Sequence, residues 1–274
     1  MNLPDINKRR IISFIKEGNR IDDRKLSDYR DIEIETDVSI NSEGSARVRL
    51  GKTEVIVGVK IATQEPYPDH DDEGTMSVSM EYSPVSSTRY ESGPPKIDAI
   101  ETARIVDRGV RESGFIDWKK LCIKEKEKVW SISIDIYCIN DDGNVLDASA
   151  IGAITALKLS RMPVYEEKEE RVKFGEWTDE SLPLTKNIPF SITFYKVGDS
   201  FILDPNRDEE DASEARFTLA ISSPNKKEKM INAMQKGGIS SITLKEMEKI
   251  IEDSEKVYEA IFPLIDKKIK QLEK

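Results

Sequence analysis

The sequence predicts a mixed α/β fold in which strands followed by a helix occur in both halves, and three observations carry that prediction. Short runs of alternating apolar and polar residues, the pattern of half-buried strands, occur in both halves of the chain. Each set of strands is followed by a helical pattern. The length, 274 residues with 38% hydrophobic, suffices for one large domain or two moderate ones with a good core.

In chain order, Lys8 to Glu17 carries a helical pattern with Ile11, Ile12, Phe14 and Ile15 apolar, and Gly18 is placed to end it. A charged loop, Arg20 to Leu26, follows. Ile32, Ile34, Ala46, Val48 and Leu50 alternate with polar residues, and Gly51-Lys52 separates them from Thr53 to Lys60, which predicts a hairpin. Met76 to Tyr82 reads as another strand. Val129 to Ile139 alternates strongly, ends in the turn Asn140-Asp141-Asp142-Gly143-Asn144, and leads into an apolar helix from Val145 to Leu159. Tyr165 to Lys173 is charged without apolar periodicity and reads as a linker between halves. Phe190 to Val197, Ser200 to Leu203 and Ala215 to Ile221 read as strands, with turns at Gly198-Asp199 and Gly237-Gly238. Thr243 and Glu246 have capping-box spacing and open a long amphipathic helix to the C-terminus.

Composition excludes several classes. No stretch approaches the ~20 apolar residues a bilayer span requires, and Met1 to Arg20 has no apolar signal-peptide core, so the expectation is a soluble cytoplasmic protein without membrane contact. Cys122 and Cys138 lack CxxC spacing and are expected to be reduced. The only histidine, His70, lies in the acidic loop Glu65 to Glu73; consecutive acids there do not converge on one ion, so no metal site is expected. With no second histidine, mechanisms that rest on a histidine base are poorly supported. Forty-two basic residues face 52 acidic ones, a net charge of -10, so any RNA contact must be local, with a partner supplying further basic residues. The 34% of charged residues is a heat-adapted bias.

The most informative stretch runs from Ser92 to Ser113. Pro94 and Pro95 hold its lead-in extended, and Asp98 with Glu101 has the spacing of a capping box, which predicts a helix from Asp98. At about 100° per residue, Arg104, Arg108 and Arg111 fall within roughly 60° of one another, and Ala99, Ala103, Val106 and Val110 share a face roughly 130° away. A solvated face balanced by Glu101 and Asp107 is one reading. The other is a row of guanidiniums spaced to hold successive phosphates, since arginine contacts phosphate bidentately and cannot lose its charge.

Several segments together resemble the RNase PH superfamily, and within it the non-catalytic RNase PH-type subunit of the archaeal exosome. They are Arg20-Ile21-Asp22-Asp23-Arg24-Lys25-Leu26, Gly93-Pro94-Pro95 with Ala103-Arg104-Ile105-Val106-Asp107-Arg108, Asp141-Asp142-Gly143-Asn144-Val145-Leu146-Asp147-Ala148, and Leu203-Asp204-Pro205. The resemblance implies a two-layer α/β (α+β) fold with an N-terminal helix and arm over 1–27, a first subdomain over 28–163 and a C-terminal one over 187–274. It implies a hexameric ring in which this chain alternates with a catalytic RNase PH-type partner, beneath RNA-binding cap subunits, and single-stranded RNA degraded from its 3' end with inorganic phosphate as nucleophile. No cofactor is implied.

The chain departs from the active members it resembles. Where they carry an arginine pair before the central helix, it has Gly93-Pro94-Pro95-Lys96; where they place a Gly-Ser/Thr-Arg phosphate loop, it has Gly143-Asn144-Val145. Their catalytic aspartates fall on Glu210 and Arg216. These departures imply no catalytic residue, and the resemblance carries RNA contact over to Arg104 and Arg108; Arg111 joins them by helical phase alone. Three alternatives stand beside this reading. They are a self-sufficient phosphorolytic exoribonuclease using Asp204, Asp208 or Glu210, a small-molecule kinase, for which a Gly-Ser-rich nucleotide loop is missing, and a scaffold whose arginines pair with a partner's acids.

Overall fold

The computed structural model describes residues 3–225 and 228–272. Alternation of apolar and polar residues builds its first sheet from β1 (Ile32–Thr36), β2 (Gly44–Leu50), β3 (Thr53–Gln64), β4 (Thr75–Tyr82), β5 (Cys122–Lys124) and β6 (Lys128–Asn140). The order is β1-β2-β3-β6-β4, with β5 pairing β6. Val48, Val57, Ile61, Ile132, Ile134 and Ile136 line its wholly buried face. The predicted hairpin is β2 with β3, turning at Gly51, whose φ of 59° suits glycine. β4 runs parallel to β6, so the chain between them crosses over, and α2 (Ile97–Arg111) lies in that crossover against β4.

The second sheet has the order β10-β9-β11-β12, built from β9 (Phe190–Val197), β10 (Ser200–Leu203), β11 (Ala215–Ser222) and β12 (Met230–Gly238). Between the sheets runs α3 (Val145–Leu159), packed on β2 and β3 from one side and β9 from the other. Every residue from Val145 to Leu157 is buried, which is why this helix reads as apolar all round. Gly152 permits close approach: a Cβ there would stand 2.6 Å from Cγ2 of Val57.

The N-terminal helix α1 (Asp5–Lys16) packs Ile11 and Ile15 onto Tyr195, Val197, Ile202 and Ala212 in a satellite core. Ala212 belongs to the short α4 (Arg207–Ala212). The charged loop after α1 is anchored by Arg20, which is fully buried; it donates to the carbonyls of Leu203 and Asp204, each at 2.8 Å, and pairs with Glu209. The long α5 (Leu244–Leu272) closes the chain behind the expected capping box: the Thr243 N–H donates to Oε2 of Glu246 at 2.7 Å, and the Glu246 N–H to Oγ1 of Thr243 at 3.3 Å. Residues 273 and 274 of this predicted helix lie outside the described residues. Among the described residues no helix is long and apolar enough to cross a membrane, and both cysteines are free.

Three expectations are corrected. Tyr165 to Lys173 is no linker: β7 (Arg161–Glu166) and β8 (Arg171–Ser181) form a two-stranded ribbon. Its charges pair across the ribbon and to its neighbours, Lys173 with Glu166 at 3.4 Å and Lys128 with Glu170 at 2.7 Å, while Met162 and Val172 are buried. Gly237-Gly238 is the last part of β12, opposite Arg216 and Ala215, and not a separate turn. α2 starts at Ile97 with Lys96 as its N-cap and no side-chain cap bond, so the Asp98/Glu101 box does not form. Asp98 already lies inside the first turn, where a carboxylate favours the helix through its dipole alone.

Candidate nucleic-acid interface

α2 buries Ala99, Ala103, Val106 and Val110 and turns its arginines outward. Arg104 and Arg108 are exposed, and neither makes a hydrogen bond or ion pair among the described residues. Arg111 is half-buried and engaged. It grips Asp107 through Nε at 3.1 Å and Nη2 at 2.7 Å, donates to the Met76 carbonyl of β4 at 2.8 Å, and lies 6.0 Å from the Trp118 ring centroid. The carboxylate of Asp107 also raises its pKa above the ordinary arginine value. Two of the three predicted site residues are thus free to meet a polyanion, and the third fastens their helix to the sheet.

The other candidate place is the N-terminus of α3, where β6 ends and free N–H groups could cradle an anion. The chain fills this place with its own acid. The backbone N–H of Asn144, a residue with φ of 52°, donates to Oε2 of Glu210 at 2.7 Å. Arg207 bridges Asp141 at 3.1 Å, Asp211 at 2.9 Å and Glu210 at 3.4 Å, and Arg89 pairs with Asp211 as well. Burial pushes the Glu210 carboxyl above the usual glutamate range, although its side chain keeps 24% of its exposure. Gly143, at φ of 84°, packs so tightly that a Cβ would come within 2.8 Å of the backbone of residues 205–207.

Beneath this mouth Asp204 is saturated. It accepts from the Arg30 Nε at 2.8 Å, Nη2 at 2.7 Å and backbone N–H at 2.7 Å, from Arg24 Nη1 at 3.1 Å and from Asn144 Nδ2 at 3.0 Å. Asp147, also fully buried, accepts from Thr193 Oγ1 at 2.7 Å, Tyr29 Oη at 2.9 Å and Asn144 Nδ2 at 3.1 Å; burial nevertheless raises its pKa to about 6. Arg216, at the other position where a catalytic aspartate was expected by resemblance, pairs with Glu101 of α2 at 2.6 Å. Arg24, Arg30, Arg89, Arg207 and Arg216 are therefore each committed to a carboxylate. His70 and Glu73 lie 3.1 Å apart on the predicted acidic loop, and among the described residues no group of three His, Cys, Asp or Glu side chains could hold a metal ion.

Sequence reasoning singled out Arg104 and Arg108, which the fold leaves exposed, and gave no role to Arg20, Arg30 and Arg207. Their partners Glu209, Asp204 and Asp141 lie 66 to 189 residues away in the chain, so local spacing announces at most the pairing of Arg207 with Glu210 and Asp211.

An apolar helix held between an open mixed sheet and an antiparallel one is the two-domain architecture of the RNase PH type. The chain belongs to the RNase PH family: the 3' exoribonuclease family's domain 1 matches residues 28–163 and its domain 2 residues 187–257. More particularly, it is 42% identical over 249 residues to the exosome complex component Rrp42 of Methanocella arvoryzae, covering 91% of each chain. The fold matches a chain of the Archaeoglobus fulgidus exosome with RNA bound to the active site, with a TM-score of 0.81, 38% identity and coverage of 90% of this chain and 93% of that one. An archaeal exosome core chain matches at a TM-score of 0.80 and 35% identity, with 96% of each chain covered.

Proposed function

We propose that this chain is a non-catalytic, cytoplasmic subunit of an archaeal exosome. It alternates in a hexameric ring with a catalytic RNase PH-type partner beneath RNA-binding cap subunits, and it holds single-stranded RNA while the partner carries out 3'-to-5' phosphorolysis. In this reading residues 1–27 are an arm, and 28–163 and 187–274 are the two subdomains. The observation that carries the proposal is the contrast between two sites on one surface. At the α3 N-terminus the anion position is taken by Glu210 and every nearby arginine is neutralised, whereas Arg104 and Arg108 stand exposed and unpaired among the described residues.

Phosphorolysis requires a held phosphate and a carboxylate at the scissile bond. The saturated Asp204 is unsuited to the second task, since its oxygens already accept five donors. Arg104 and Arg108 suit backbone phosphates, which carry no base identity, so the held RNA is read with little sequence preference. The test uses the purified chain, the chain assembled with the catalytic paralogue of the same source, inorganic phosphate and poly(A). Nucleoside diphosphate is expected from the assembly and none from the chain alone; release by the isolated chain would overturn the non-catalytic assignment.

A further inference from the structure

Arg216 stands on β11 directly opposite Tyr195 of β9 and Gly237 of β12. Its guanidinium lies on the bare backbone at Gly237: a Cβ there would sit 2.9 Å from Cζ and 3.0 Å from both Nε and Nη2. Any larger residue at 237 would force the arginine aside, so the pair of strands provides a bed for it. The bed is open. The Arg216 side chain keeps 22% of its exposure, and its ion-pair partner among the described residues is Glu101, itself 44% exposed. Glu101 precedes Arg104 by three residues and Arg108 by seven, so helical phase puts it on the same solvent face of α2 as those two arginines.

An ion pair open to solvent on one side, as this one is at Glu101, is weakened by screening and can be exchanged for another anion. The two non-bridging oxygens of a phosphodiester accept a guanidinium bidentately, as the two oxygens of a carboxylate do, and the group arrives already tethered by its neighbours along the strand. We propose that Arg216 is a third RNA-positioning residue of the arginine face, held by Glu101 until a backbone phosphate displaces that carboxylate. Glu101 then has two effects on RNA. It occupies Arg216, and it repels the incoming polyanion. The proposal rests on the reading of Arg104 and Arg108 as RNA contacts and extends the row from the helix onto β11.

The test measures binding of a fluorescent oligoadenylate to the assembled ring across a salt series, with the melting temperature of each variant. Arg216→Ala is expected to weaken affinity about fivefold and to lower the salt slope by about 0.7, the value of one lost single-strand phosphate contact. Arg216→Lys keeps most of the affinity. Glu101→Gln tightens binding about threefold, and in Glu101→Gln with Arg216→Ala the gain shrinks to the part owed to lost repulsion, because the freed guanidinium supplies the rest. The idea is overturned if Arg216→Ala moves only the melting temperature and leaves affinity and slope unchanged. It is equally overturned if the Glu101→Gln gain is undiminished without Arg216. Replacing Arg104 and Arg108 by Glu in parallel separates the two levels: no effect from that pair sinks the RNA reading of the whole face, whereas an effect from that pair with silent Arg216 variants sinks this extension alone.

Discussion

Asp204 and Asp147 lie next to each other on the Asn144 side chain, yet they act on the fold in opposite ways. Asp204 neutralises Arg30 and Arg24 in a buried setting, so Asp204→Ala leaves Arg30 only Asp142 at 3.4 Å and Arg24 only the more exposed Asp22 and the more distant Glu209; a loss of about 3 kcal/mol, the lower end for a broken buried pair, is expected from urea unfolding. Asp147 has no cation as a hydrogen-bond partner, and burial raises its pKa to about 6 against the pull of its three donors. The folded protein keeps this proton to higher pH than the unfolded chain does. The group's stabilising contribution is therefore complete below about pH 4, where an unfolded aspartate is protonated too, and is lost as pH rises through about 6. A shift of this size corresponds to a change on the order of 3 kcal/mol. The unfolding free-energy difference between wild type and Asp147→Asn should fall by that order between pH 4 and pH 7, and a difference independent of pH would contradict the account.

The elements differ in how tightly glycine fixes their approach. Gly44 at the start of β2 runs against the end of α3, where a Cβ would overlap the Ala156 carbonyl oxygen and stand 2.5 Å from Oγ of Ser160. Gly152 within α3 meets only the movable methyl of Val57 at its closest point. Gly44→Ala should therefore cost more than Gly152→Ala, within the ~1–3 kcal/mol typical of overpacking, and paired urea titrations check the order. These elements were legible in the sequence because apolar period and glycine placement act locally: α3 occupies Val145–Leu159 as read, and the β2–β3 and β9–β10 hairpins turn where Gly51 and Gly198 stand. The β7–β8 ribbon was illegible because Tyr165 to Lys173 is mostly charged, and its ion pairs form only once the two strands face each other and β6. The start of α2 was misplaced by one residue because the exit from Pro94-Pro95, not a cap, fixes it. The closed anion site was beyond sequence reasoning as well. Asn144 and Glu210 are 66 residues apart, and only the folded chain shows the carboxylate seated on the helix N-terminus.

At the scale of the whole molecule, a net charge of -10 opposes RNA at long range, and the two free arginines act against that background. Screening shortens the repulsion to about 10 Å at 0.1 M salt, so the chain alone should bind RNA weakly at every ionic strength. In the proposed ring, a basic partner would reverse the sign of the local field and leave Arg104 and Arg108 to set the path of the strand. Each single-strand phosphate contact adds about 0.7 to the slope of log affinity against log salt. Arg104→Ala with Arg108→Ala should thus flatten the slope of the assembled ring by about 1.4 and weaken binding alike for different RNA sequences, since phosphates carry no base identity. Fluorescence anisotropy with oligoadenylate and a mixed-sequence oligonucleotide over ~50–300 mM salt measures both effects. A slope unchanged by the double substitution would mean that these side chains meet a partner's acids and not RNA, because an arginine spent on a protein carboxylate releases no counterion from the nucleic acid.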